Sequence, residues 1–268
     1  MKNHLTYRTN VHQLKVRPYQ FSMVYTSNCS IKIKNEKSYD EIEIPKGTIS
    51  FIERNQNLDI SVIKDRDGEA YMVHTLTTET VRTLISILEP SLNPVPVEIT
   101  NERKLRDKIH VVTGEGINKI LFQSIRETKN AAAGIYKIAC LILKSDDPEK
   151  LYWSLCLSAS QFFSDRVKSV IESDLSRKWR LSSVSEALSL SEIAVRKKLE
   201  AENTSFYQIL LDARMQKAAK LILDENHHIN KVAARIGMSS PSYFIKTFAT
   251  YYGVTPKQFY LYFKSIKA

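Results

Sequence analysis

The sequence predicts an α+β protein. An N-terminal sandwich or barrel of jelly-roll type, with helices attached, is followed by an all-α region holding two helix-turn-helix units. Three observations carry this. Six short runs between Tyr19 and Leu76 read as strands, and several alternate apolar and polar residues, the period of a half-buried strand. From Thr78 onward apolar residues recur at helical spacing. Towards the end, one pattern of short helix, turn and basic helix occurs twice, 49 positions apart from Ile193 to Ser242.

The strand runs are Tyr19 to Tyr25, Cys29 to Lys34, Tyr39 to Ile44, Thr48 to Glu53, Leu58 to Lys64 and Ala70 to Leu76. Ile31-Lys32-Ile33-Lys34 and Glu41-Ile42-Glu43-Ile44 alternate most clearly, and turn formers such as Pro45-Lys46-Gly47 and Asn55-Gln56-Asn57 separate the runs. Helices follow over Thr78 to Leu88, ended by Pro90, then Gly116 to Lys129 and Ala131 to Lys144. The last carries Ile135, Ile138, Ala139 and Ile142 on one stripe, either core or the seam of a dimer. After a polar break at Ser145 to Pro148, charged helix formers begin near Gln161. The expected division is 1–158 and 159–268.

Composition narrows the function. A chain of 268 residues with 43% hydrophobic residues is a folded protein. It has no apolar run of about 18 residues, and Met1 to Thr9 lacks the apolar segment of a secretory signal. No membrane partner and a cytoplasmic location are expected. Cys29, Cys140 and Cys156 are odd in number and form no CxxC, so free thiols are expected rather than a zinc site or disulfides. The net charge is +10, and Gln161 to Ala268 holds 17 basic against 10 acidic residues. A cationic domain of this kind favours a polyanion.

The repeated pattern chooses among polyanions. Leu181 to Leu188 forms a short helix with Val184 and Leu188 inward and Ser182 to Ser185 as capping candidates. Ser189-Leu190-Ser191 links it to a helix over Glu192 to Glu202, with Val195 and Leu199 inward and Ile193, Arg196, Lys197 and Lys198 outward. Ile229 to Ile236 repeats the first helix, and Gly237 stands where the turn needs positive φ. Ser239, Ser240 and Pro241 start the next helix, which buries Phe244 and Phe248 and exposes Ser242, Ile245 and Lys246. Between the units Phe206 to Leu223 reads as one rod of about 27 Å. A rod of that length suits two recognition helices in major-groove segments about 34 Å apart on double-stranded DNA.

Arg214-Met215-Gln216-Lys217-Ala218, Ile229 to Gly237, Ser242-Tyr243-Phe244 to Phe248 and Tyr252-Gly253-Val254-Thr255-Pro256-Lys257-Gln258-Phe259 together resemble the signature of the AraC/XylS family. The resemblance covers roughly 165–264. Tyr25-Thr26-Ser27-Asn28-Cys29, Phe162-Phe163-Ser164-Asp165 and Asp174-Leu175-Ser176-Arg177-Lys178-Trp179 are similar to the enteric virulence regulators of that family. It implies a cupin-like N-terminal domain that binds an effector or dimerises. It also implies activation of virulence or colonisation genes, with RNA polymerase as a further partner. Carried over by position, the groove contacts are Ile193, Arg196 and Lys197, then Pro241, Ser242, Ile245 and Lys246. Arg196 suits guanine or a phosphate, and Ile193 and Ile245 suit thymine methyls. Lys198, Arg177, Lys178 and Lys231 are phosphate contacts or plain surface charge, and Arg214 matches a structural position.

The same resemblance suggests a small anionic effector, bicarbonate or a fatty acid. Members that bind fatty acids place a basic residue on the first barrel strand. The match here is Tyr19, with Arg17 two positions earlier, and His74 and Lys220 complete the candidates. A lone His on an apolar strand is more often packed than a ligand. No cofactor and no catalysis are expected. Gly114-Glu115-Gly116 is not followed by GK[ST], His227-His228 are neighbours with no metal spacing, and neither GxSxG nor HExxH occurs. A cupin-type enzyme lacks its clustered His and Glu ligands here. The remaining alternative is an architectural DNA binder or anti-silencer without effector control, which a steep salt dependence and little sequence preference would reveal.

Overall fold

The computed structural model describes residues 11–35, 40–65, 69–94, 103–225 and 228–264. The chain divides into two units, Met1–Ser160 and Gln161–Ala268.

In the first unit eight strands form: β1 (Val11–Val16), β2 (Phe21–Tyr25), β3 (Cys29–Asn35), β4 (Glu41–Ile44), β5 (Thr48–Ile52), β6 (Leu58–Lys64), β7 (Met72–Leu76) and β8 (Ile109–Thr113). They build two antiparallel four-stranded sheets, ordered β1-β6-β3-β4 and β7-β2-β5-β8. Among the described residues each sheet is hydrogen-bonded separately, so the fold is a sandwich and not a closed barrel. In the first sheet the alternation becomes two faces. Lys15 stands opposite Asp59, Lys32 opposite Glu43 and Lys34 opposite Glu41 in register, and each pair forms an exposed ion pair. The other face carries Ile31, Ile33, Ile44 and Val62 into a core shared with Val24 and Ile52 of the second sheet.

The second sheet is covered on both sides, and every residue of β2 and β5 is buried. Phe21, Met23, Tyr25, Ile49 and Phe51 pack on helices α1 (Thr78–Leu92), α2 (Ile117–Glu127), α3 (Ala131–Leu143) and α4 (Pro148–Ala159). Ile138, Ala139 and Ile142 of the α3 stripe lie buried in this same core. Pro90 does not end α1 but lies inside its last turn, and the helix closes at Asn93 with φ 43°. So near the end, a missing N–H removes one bond and interrupts nothing downstream. Cys29 is buried, and burial raises its thiol to about 11.

One polar network crosses the apolar layers. Arg103 donates from Nη1 to both oxygens of Glu53, at 3.0 and 2.8 Å, and from Nη2 to Ser154 Oγ at 3.1 Å. Ser154 donates to Glu53 at 3.0 Å and lies 2.9 Å from His110 Nε2. Burial, then the Arg103 charge, pushes the His110 imidazole down to about 4. For Glu53 burial outweighs Arg103 and moves the carboxyl upward.

The second unit is helical: α5 (Phe163–Glu172), α6 (Leu181–Ala187), α7 (Glu192–Ala201), α8 (Phe206–Glu225), α9 (Ile229–Arg235), α10 (Pro241–Tyr252) and α11 (Pro256–Lys264). Two cores form within it. One gathers Val167, Ile171, Val184, Val195 and Leu199 around Phe206, Ile209 and Ala213. The other gathers Val232, Ile236, Phe244, Phe248 and Phe259 around Met215, Ala218 and Ile222. The 20 residues of α8 therefore supply one core from their first half and the other from their second. At that length α8 is a rod of about 30 Å.

Candidate nucleic-acid interface

The two helical pairs, α6–α7 and α9–α10, are built alike. In the first turn Leu188 N–H donates to Val184, Ser189 to Glu186 and Leu190 to Ser185; 48 positions later Ile236 donates to Val232, Gly237 to Ala234 and Met238 to Ala233. These are helix-closing bonds around one left-handed residue, Ser189 at φ 54° and Gly237 at φ 71°. A side chain is accommodated at 189 but not at 237. A Cβ on Gly237 would stand 2.6 Å from the Leu175 carbonyl oxygen and 2.8 Å from that of Ser176. Arg214, behind this turn, donates from Nη2 to the Arg177 carbonyl at 3.2 Å. Arg214 is thus a brace of the turn, and the Arg177 guanidinium stacks over the Trp179 ring at 4.7 Å.

Each second helix opens on a serine cap, Ser191 accepting from Ala194 N–H and Ser240 from Tyr243 N–H, both at 3.2 Å. The serines expected to cap α6 do not; its N-cap is Arg180, without a side-chain cap bond. From the caps onward the offset is 49, one residue longer. Val195 and Phe244, and Leu199 and Phe248, occupy matching buried positions. Outward, Ile193 is 69% exposed and Ile245 38%. Arg196, Lys197, Lys198, Ser242 and Lys246 are exposed, and Pro241 is half-buried in the first turn of α10. Six of the seven expected contact residues therefore stand on open helix surface, and Pro241 stands at its edge.

Two exposed residues escaped the sequence reading. Tyr243 is 62% exposed beside Ser242, and its place outside the Phe244–Phe248 stripe was a readable signal. Glu192 sits in the first turn of α7, with Oε2 3.6 Å from Arg196 Nη2. Behind α10, buried Asp212 of α8 accepts from Tyr251 Oη and Gln208 Nε2, both at 2.8 Å. Tyr252 Oη donates to the Met215 carbonyl at 3.2 Å. These bonds fix α10 to the rod.

Three of the effector candidates belong to the first unit and one, Lys220, to the second. Arg17 and Tyr19 lie in the connection between β1 and β2, both buried, with the Arg17 guanidinium 5.7 Å over the Tyr19 ring. His74 is in register with Met23 and shares the face that packs on the helices. Burial first, then Arg126, lowers its pKa. Lys220 is exposed on α8, beside an open hollow of about 640 Å³ lined also by Asp174, Lys217 and Arg235. Among the described residues no group of His, Cys, Asp or Glu is arranged to hold a metal ion. None of their helices is long and apolar enough to cross a membrane.

Paired helix-turn-helix units with basic outer faces on a shared rod define a class, the DNA-binding transcription regulators. Comparison agrees. A helix-turn-helix domain model matches residues 184–260. The chain is 40% identical over 251 residues to the virulence regulon transcriptional activator VirF of Shigella flexneri, covering 94% of this chain and 95% of that one. It is 37% identical over 249 residues to the dual transcriptional regulator Rns of Escherichia coli, covering 92% of each. Among solved structures, apo ToxT K231A of Vibrio cholerae superposes with a TM-score of 0.70 at 17% identity, over 94% of this chain and 95% of ToxT, a likeness of fold. The chain belongs to the AraC/XylS family of transcription regulators.

Proposed function

We propose that this chain activates virulence or colonisation genes by laying α7 and α10 into successive major-groove segments of promoter DNA. Ile193, Arg196, Lys197, Pro241, Ser242, Ile245 and Lys246 face the DNA. The observation that carries the reading is the repeated turn with its 48-residue offset, followed each time by a serine-capped helix with exposed lysine, Lys197 and Lys198 on α7 and Lys246 on α10. The names of the relatives, VirF and Rns, support the regulatory part. RNA polymerase and a second copy of the chain are the protein partners this reading expects, and the cytoplasm is its location.

An anionic effector, bicarbonate or a fatty acid, held by the N-terminal unit completes the proposal. Two observations support it. Arg17 is buried at 4% exposure with no hydrogen-bond partner for its Nε among the described residues. ToxT has been crystallised with an unsaturated fatty acid bound. The test is titration of the chain against a promoter fragment and a scrambled duplex, with and without decanoate or bicarbonate, beside an Arg196→Ala/Lys246→Ala variant. Preference for the promoter fragment that the double variant loses is the expected result. Equal affinity for both duplexes, unchanged in the variant, overturns the reading in favour of an architectural binder.

A further inference from the structure

We infer that Glu192 is a specificity-determining residue, which keeps Arg196 on base edges and off the phosphate backbone. The inference rests on the DNA-binding reading of α7. Glu192 lies one turn before Arg196 on the exposed face of the helix, with Oε2 3.6 Å from Nη2. Their side chains are 45% and 65% exposed, so the pair adds little to stability. Its consequence is where the guanidinium points.

An arginine has five N–H donors in a planar fork. An ion pair that draws one Nη towards the carboxylate leaves the other donors of the fork for the guanine O6/N7 pair. A free arginine on the same helix has a second choice, any phosphate of any sequence, which adds affinity without discrimination. A carboxylate at this position acts against that choice twice. It holds the guanidinium, and it repels a phosphate brought close to it.

The second helix-turn-helix pair supplies the contrast. At the positions matching Glu192 and Arg196 it has Pro241 and Ile245, neither of which carries charge. An acid in the first turn of a helix also favours the N-terminal end of the dipole. That role alone predicts a small loss of stability on substitution and no change in DNA preference, which separates it from the inference.

The experiment compares wild type, Glu192→Gln, Arg196→Ala, Lys246→Ala and the Glu192→Gln/Arg196→Ala double variant. Affinity for the promoter fragment and for a scrambled duplex of equal length is measured across a salt series, after thermal unfolding has confirmed that each variant is folded. Glu192→Gln is expected to bind the scrambled duplex more tightly, with a log–log salt slope steeper by about 0.9, one added phosphate contact. Its promoter-over-scrambled ratio is expected to fall by roughly fivefold or more, the low end of one bidentate base contact. The double variant is expected to lose the added slope. An unchanged slope and ratio in Glu192→Gln, while Arg196→Ala and Lys246→Ala still weaken binding, overturns this inference and leaves the DNA-binding reading standing. No effect from Arg196→Ala or Lys246→Ala overturns both.

Discussion

Replacing Gly237 by alanine separates two demands that a turn can make of a glycine. Its φ of 71° is the left-handed region, which costs a residue with a Cβ about 1–2 kcal/mol. The Cβ would also stand 2.6 Å from the Leu175 carbonyl oxygen, 2.7 Å from Arg214 Nη2 and 2.8 Å from the Ser176 carbonyl oxygen. Two of these three are backbone atoms that cannot swing aside, and overpacking of that kind adds about 1–3 kcal/mol. Gly47 has nearly the same φ, 75°, with nothing within 4 Å of its Cβ position. It meets only the first cost, offset by about 0.4–1 kcal/mol from the stiffer unfolded chain. With the same unfolded-chain offset at both positions, Gly237→Ala is therefore expected to destabilise its unit by about 1–4.5 kcal/mol, and Gly47→Ala by about 0–1.5 kcal/mol. Each unit carries one tryptophan, Trp153 and Trp179. Urea unfolding by fluorescence in a Trp153→Phe background follows the second unit, and in a Trp179→Phe background the first. Equal losses at the two glycines would refute the argument that the Leu175–Ser176 backbone closes on Gly237.

Other consequences are open to measurement. Arg103→Ala leaves the buried Glu53 carboxylate without its guanidinium, and is expected to cost the first unit about 3–5 kcal/mol in chemical denaturation. His110, held down to about 4 against 6.5 when unfolded, binds fewer protons folded than unfolded between those values, so stability falls as pH drops through that window. The full effect is about 3 kcal/mol. Glu53, shifted upward, acts in the opposite sense, its stabilisation being lost as pH rises through its folded value. The difference between wild type and His110→Gln across pH 4 to 7 therefore isolates the histidine, and a flat difference would count against it. Lys246→Ala is expected to lower the salt slope of DNA binding by about 0.9 if the lysine meets a phosphate. A loss confined to one base pair of the promoter fragment would assign it to base readout instead.

Local chemistry made most of the second unit legible before any coordinates. The serine caps Ser191 and Ser240, Pro241 in the first helical turn, Gly237 in the link and the inward pairs Val195–Leu199 and Phe244–Phe248 all act within one or two turns of chain. Their spacing alone therefore located both α7 and α10. In the first unit the Lys–Glu alternation of β3 and β4 likewise announced one charged and one apolar face. What the sequence left hidden depends on distant partners. β1 and β8 lie outside the runs that the sequence marks as strands, and it is their pairing with β6 and β5 that defines them. α4 was overlooked although Asp147 caps it and Pro148 opens it. His74 alternates correctly along its strand, yet only the Met23 register and the helices packed on that face decide which layer it enters. The Glu53–Arg103–Ser154–His110 network joins residues up to 101 positions apart, and no local pattern encodes it. Gly237 shows both kinds of information in one residue. Its positive φ follows from the turn, while the clash that excludes any side chain comes from the Leu175–Ser176 backbone, which only the folded unit brings alongside.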